Sequence, residues 1–193
     1  MFPFASLQKD AMTTPDRVQA MLDTAEMEIA QAASVRELYE VTCQILVGVG
    51  GYCMAWIGLA EHNTRRSVLV VARAGYESGY LATADITWAN DAGGLGPTGR
   101  ALREGCVQVN NNTTRAPEMA LWREGALARG YAASIAIPLT AAHGTFGTIT
   151  AYARRVDAFG PREVNILRQL GALVSAAVIR LRRQAREALP HRP

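Results

Sequence analysis

Apolar positions along the chain repeat at two periods. Val18, Leu22, Ala25, Ile29 and Ala32 follow one another at steps of four and three, the seam of an amphipathic helix. Leu38, Val41, Ile45 and Val49 predict a second helix. Val164, Leu167, Leu170, Val174, Ala177 and Leu181 predict a long last one. The local chemistry marks their ends. Thr14 caps the first helix, with Pro15 in the first turn, where a missing N–H costs nothing. Ser34 and Glu37 form a capping box for the second, which Gly50-Gly51 stop. Gly160-Pro161 open the last.

Between these helices the period falls to two. Strands are expected over 52–59, 67–74, 106–109, 132–139 and 145–153, with 85–88 a further short candidate. Polar turns join 52–59 to 67–74, and His143-Gly144 joins the last two. Gly93, Gly94 and Gly96 lead into Pro97, Thr98 and a short helix ending at Gly105. Pro117 opens another, containing Trp122 and ending near Gly130, and 110–116 is a polar loop. Strand pairs on short turns imply an antiparallel sheet. The class expected is α/β of the α+β kind, with the terminal helices on one face of the sheet and the middle excursions on the other. A single domain spans 14–187, with an arm at 1–13 and a tail at 188–193.

Alternation divides each strand between the two faces. Ala55, Ile57, Leu59, Ala133, Ile135, Ile137, Leu139, Ile149 and Ala151 are assigned to the helical face. Met54, Trp56, Gly58, Ser134, Ala136, Thr148, Thr150 and Tyr152 fall opposite. That second face mixes small, hydroxyl and aromatic groups, the lining expected of a ligand pocket. Trp56, Trp88, Trp122 and Tyr131 are candidate walls. The alternatives are a face plugged by loop side chains, and tryptophans that serve only as core.

Four stretches carry a family resemblance. The run 52–59, Tyr-Cys-Met-Ala-Trp-Ile-Gly-Leu, is similar to the first core strand of bacterial GAF domains. So are 96–105, the pieces Trp122-Arg123-Glu124, Gly130-Tyr131 and 134–139, and the junction Ala158-Phe159-Gly160-Pro161-Arg162-Glu163. The likeness covers about 35–181. It implies a sensory module of the kind attached to histidine kinases and diguanylate cyclases, with an unidentified small ligand and an output kinase or cyclase as partner. Asn110-Asn111-Asn112 stands where such modules often carry acidic groups, so ligand preference does not carry over.

Composition narrows the chemistry. Twenty Lys+Arg against seventeen Asp+Glu leave the chain mildly basic, and Lys9 is its only lysine. The arginines are scattered apart from Arg180, Arg182, Arg183 and Arg186, so no nucleic-acid partner is expected. No run of about 18 apolar residues is read, so no membrane partner is expected either, and a cytoplasmic location is the reading. Cys43, Cys53 and Cys106 form neither a disulfide framework nor a zinc pair. His62, His143 and His191 fall in turns and the tail, against haem. No Cys-His pair suits a bilin. The GAF-fold reductases of free methionine sulfoxide are an enzymatic alternative, with Cys106 as the nearest nucleophile, although the family's cysteines do not match these three. The glycines at 93, 94 and 96 lack the lysine of a phosphate loop and read as a turn. A homodimer through the terminal helical seams, relaying a signal, completes the expectation. A purely structural dimeriser is the third reading.

Overall fold

The computed structural model describes residues 14–188. The arm at 1–13, the tail from 189 and His191 lie outside the described residues, as does the Thr14 side-chain cap. Six α-helices and five strands follow in the order α1 (Thr14–Gln31), α2 (Val35–Gly48), β1 (Met54–Ala60), β2 (Val68–Gly75), α3 (Tyr80–Thr83), α4 (Pro97–Glu104), β3 (Gln108–Asn110), α5 (Arg123–Ala128), β4 (Ala133–Ala141), β5 (Gly144–Ala153) and α6 (Pro161–Glu187). Single 3-10 turns at Ala92–Gly94 and Pro117–Met119 precede α4 and α5.

The sheet order is β2-β1-β5-β4-β3, with every pair antiparallel. Its centre is β5, read against β1 on one side and β4 on the other. Trp56, Thr150 and Ala136 therefore stand in one row across three strands. Helices α1, α2 and α6 pack together on one face, and α4 packs on the other against β4 and β5. Two apolar clusters result. The larger joins the helical seams to Ala55, Ile57, Ile135, Ile137, Ile149 and Ala151. The smaller joins Met54, Trp56 and Tyr152 to Tyr80, Met119, Trp122, Ala126 and Tyr131 from the excursions. Both strand faces thus carry the side chains that alternation assigns to them.

The caps follow the local chemistry. Ser34 Oγ accepts from the Glu37 N–H at 3.2 Å, and the Glu37 carboxylate accepts from the Ala33 N–H at 2.9 Å, one residue before the usual recipient. Gly105 closes α4 with φ +64°, a left-handed C-terminal position suited to glycine.

Three expectations are corrected, and one short helix was missed. Residues 85–88 form no strand: Thr87 makes one isolated bridge to Ser67. The helix opened by Pro117 is broken in two, because Ala120 and Trp122 donate to carbonyls three residues back before α5 begins. The helix α3 went unread, since four residues are too few to show a period. The helical seams are not left open for a partner. Val18, Leu22, Ala25, Ile29, Leu167, Leu170, Val174 and Leu181 are all buried within the chain. Among the described residues α6 is also the one helix long and apolar enough to cross a membrane by length and composition; half of that stretch is buried inside the fold.

Candidate functional site

A narrow cavity of about 20 Å³, little more than the space of one water, lies between α4 and the sheet face opposite the terminal helices. Its floor is Ser134 on β4 with Thr150 and Tyr152 on β5. One wall is the start of α4, from Gly96 to Gly99. The other is Trp122, Met119, Ile86 and Tyr80.

Each wall has a local cause. Pro97 starts α4, and Gly96 before it gives room to an indole: a Cβ there would lie 2.5 Å from a Trp122 ring carbon. Gly99 lets the helix approach the backbone of Gly94 and Thr87, where a Cβ would meet carbonyl oxygens at 2.5 and 2.6 Å. Trp122 is held by its indole N–H, which donates to the Ala84 carbonyl at 2.7 Å. Arg103 Nη1 donates to the carbonyls of Ala89 and Gly94, both at 2.7 Å, and so fixes the loop leading into α4. Arg123 and Arg129 do the same for carbonyls around 113–116 and 77–78. A forked guanidinium can hold several carbonyls at once, a use to which lysine is poorly suited.

The polar groups of the floor are few and buried. Thr98 and Thr150 Oγ1 atoms are 3.1 Å apart and hydrogen-bonded. Ser134 is only 2% exposed. It lines the cavity floor. Tyr80, Tyr131 and Tyr152 form a ring cluster: Tyr131 and Tyr152 lie 4.6 Å apart, and Tyr80 meets both edge-on. Burial pushes all three phenols up, Tyr80 to about 12, so they remain protonated donors at neutral pH. The Tyr131 hydroxyl donates to the Tyr76 carbonyl.

Of the residues singled out from sequence, Trp122, Ser134, Thr150 and Tyr152 meet at this cavity. Trp56 and Tyr131 lie in the aromatic layer beside it rather than on its surface. The Trp56 indole N–H sits by the Tyr152 hydroxyl without completing a hydrogen bond. Ala136 and Thr148 are fully buried on the same face but outside the lining, and the Thr148 hydroxyl has no partner among the described residues. Trp88 is elsewhere. Its indole donates to the Glu61 carbonyl at 2.9 Å, with His62 and Arg66 against its ring. The residues that sequence reasoning missed are Thr98, Met119, Tyr80 and Ile86. Only Thr98 carried a signal, standing next to the proline that starts a helix.

The asparagine loop is structural. Asn110 donates to Thr113 Oγ1, Asn111 bonds both backbone groups of Phe159, and Asn112 accepts from the Thr114 and Arg115 N–H groups. None of the three lines the cavity.

The family model described as GAF domain matches residues 32–178. The chain belongs to the GAF domain family. Solved structures of GAF-fold proteins resemble it closely in shape and weakly in sequence. The free methionine-R-sulfoxide reductase from Neisseria meningitidis, solved with its substrate, is 18% identical with a TM-score of 0.75, covering 94% of this chain and 99% of that one. The GAF domain of a phosphoenolpyruvate-protein phosphotransferase from Coxiella burnetii is 13% identical with a TM-score of 0.72, covering 92% and 100%. Its counterpart from Acinetobacter is 12% identical with a TM-score of 0.68, covering 91% and 99%. Such identities establish the fold alone. Among curated proteins, no sequence match is found.

A GAF fold hosts both binding modules and reductases, so the site must decide between them. None of this chain's three cysteines lines the cavity. Cys43 is fully buried in α2, and burial pushes its thiol up to about 12. Cys53 is half-buried, its thiol raised chiefly by burial, and donates to the Tyr152 carbonyl at 3.1 Å. Cys106 is exposed just beyond the C-terminal end of α4, whereas the cavity lies at the N-terminal end.

Proposed function

We propose that this GAF domain is a sensory module that binds a small molecule in the cavity beneath α4. Binding would be relayed through α4 and the sheet to the terminal helices. The observation that carries this reading is the lining of the small cavity at the start of α4, mostly apolar with a few placed hydroxyls and no thiol. The reductase alternative requires a thiolate at the substrate, and the positions of Cys43, Cys53 and Cys106 weigh against it. A cytoplasmic location and an output kinase or cyclase are part of the same proposal. So is a homodimer, which would use the outward sides of α1 and α6, where Met27 and Ile179 are 60% and 49% exposed.

The test is a thermal-shift screen of a metabolite library against the parent chain and Ser134→Met, which fills the floor of the cavity. A ligand at a hundredfold excess over its Kd stabilises by about 2.7 kcal/mol. At roughly 2–4 °C per kcal/mol, that is a readily measured shift. The expected result is a compound that raises the melting temperature of the parent and not of Ser134→Met. A library with no hit, or one whose hits are indifferent to the plug, counts against the reading.

A further inference from the structure

We propose a second binding site in this domain, for a phosphoryl group, in the two clefts that flank Arg155 where α1 and α6 meet the end of β5. It shares no residue with the cavity beneath α4.

The clefts provide the room. One, of about 290 Å³, is lined by Arg17 of α1, by Arg154 and Arg155 just after β5, and by Glu163 of α6, together with Tyr52 and Ala153. The other, of about 300 Å³, is lined by Arg155, Arg162 and Glu163, with Val18 and Ile166 as its apolar side. Arg155 and Glu163 belong to both, so the clefts are two sides of one post. Arg155 is fixed in that place. Its Nη1 donates to the Asp157 carbonyl and its Nη2 to the Ala158 carbonyl, each at 3.2 Å.

The charge is unbalanced. Four guanidinium groups surround the post, and Glu163 is the one acidic side chain lining either cleft. It is a poor counterion. Its side chain is only 13% exposed and stands 3.7 Å from Arg155 Nη2, and the Tyr52 hydroxyl donates to it at 3.5 Å. Burial pushes its carboxyl up, against the pull of Arg155. Other arginines of the fold are matched where they stand. Arg36, Arg65, Arg73, Arg100 and Arg183 each face a carboxylate. Arg103, Arg123 and Arg129 hold carbonyls. Among the described residues Arg154 and Arg162 form no ion pair.

Guanidinium groups gathered around a cleft favour an oxyanion between them, because their N–H groups form a planar fork. A phosphate monoester puts nearly two negative charges and three acceptor oxygens on one group. It can meet forks from several arginines at once. A single carboxylate has one charge and two oxygens, and leaves more of the cluster unbalanced. Arg17 stands on α1 and Arg162 on α6, so a group held here also ties the two terminal helices together and stabilises their packing.

The experiment uses the purified chain with ethyl phosphate, inorganic phosphate, succinate, acetate and neutral glycerol, at about pH 8 and one ionic strength set with sodium chloride. Calorimetry gives Kd and thermal melting gives the shift. The expected result is that ethyl phosphate binds about 10-fold or more tightly than acetate, that added salt weakens it, and that glycerol does not bind. Arg154→Gln and Arg162→Gln should keep the parent's circular dichroism and each bind ethyl phosphate about 5-fold or more weakly. Arg168→Gln, on α6 but lining neither cleft, should bind as the parent does. Inorganic phosphate binding as tightly as ethyl phosphate would assign the site to free phosphate, and a tighter ester to a phosphate ester; both uphold the phosphoryl group. Succinate binding more tightly than either would overturn it. An equal loss in Arg168→Gln would reveal a diffuse charge effect in place of a site. Unchanged affinity in both Arg154→Gln and Arg162→Gln would overturn the placement. No binding of either phosphate would overturn the inference and leave the ligand reading of the cavity beneath α4 as it stands.

Discussion

The hydroxyls of Thr98 and Thr150 meet at 3.1 Å across the boundary between α4 and the central strand, 52 residues apart in the chain. The pair joins the excursion that walls the cavity to the sheet that floors it. Removing one hydroxyl strands the other in a buried site, so Thr98→Val should cost about 1–3 kcal/mol. Removing both should cost much less than the sum. Urea denaturation of the two single variants and the double variant measures this as a coupling energy; additive costs would show that the hydroxyls do not depend on each other.

Gly96 and Gly48 should respond in opposite directions to alanine. At Gly96 the added carbon would meet the Trp122 ring at 2.5 Å, although φ there is an ordinary −67°. Overpacking of this kind costs about 1–3 kcal/mol. Gly48 ends α2 with nothing within 4 Å of an added Cβ. Alanine there should stabilise by up to roughly 0.5–1 kcal/mol through helix propensity. Melting curves test both, and Trp122 fluorescence should change in Gly96→Ala alone.

The three thiols should react in order of exposure. Cys106 should be labelled first by an aromatic disulfide reagent at pH 8, Cys53 more slowly, and Cys43 only on unfolding. The Cys43 thiol has its pKa raised by burial from 9.0 to about 12. Between those values the folded protein keeps a proton that the unfolded chain loses. Its contribution to stability is therefore complete below pH 9 and is lost as pH rises towards 12. Cys43→Ala should flatten that part of the pH–stability curve; an unchanged slope would contradict the assignment.

Much of this fold was legible from the chain because the central strands alternate so plainly. Ile135 and Ile137 against Ser134 and Ala136 admit one orientation on the sheet, and Ile149 and Ala151 against Thr148 and Thr150 repeat it. The cavity was legible only by half. Its floor comes from strands, where a period of two names the face. Its walls come from irregular excursions, where nothing in the sequence tells Trp122 from Trp88. One bends over Gly96, and the other turns outward to the Glu61 carbonyl. The helical seams show a different limit. Periodicity reveals that a face is buried, not whether the cover belongs to the same chain.

That limit has a direct consequence for Leu170 and Ile179. Leu170 is fully buried within the chain, so Leu170→Asp should lose more than about 4 kcal/mol and abolish the fold rather than only separate subunits. Met27→Asp and Ile179→Asp lie on outward helix faces and should keep the native circular dichroism. If the proposed homodimer forms there, light scattering should show the parent as a dimer and these two variants as monomers. A monomeric parent would remove the homodimer from the proposal.

The most direct test of a ligand cavity beneath α4 is a nitrogen–proton correlation spectrum of the labelled chain, titrated with the compound giving the largest thermal shift. The account predicts that the Thr98 and Gly99 amides, the Ser134 amide and the Trp122 indole N–H move most, while the Trp88 indole stays in place. Largest shifts around Trp88, or along the outward sides of α1 and α6 with Thr98 and Ser134 unmoved, would contradict it.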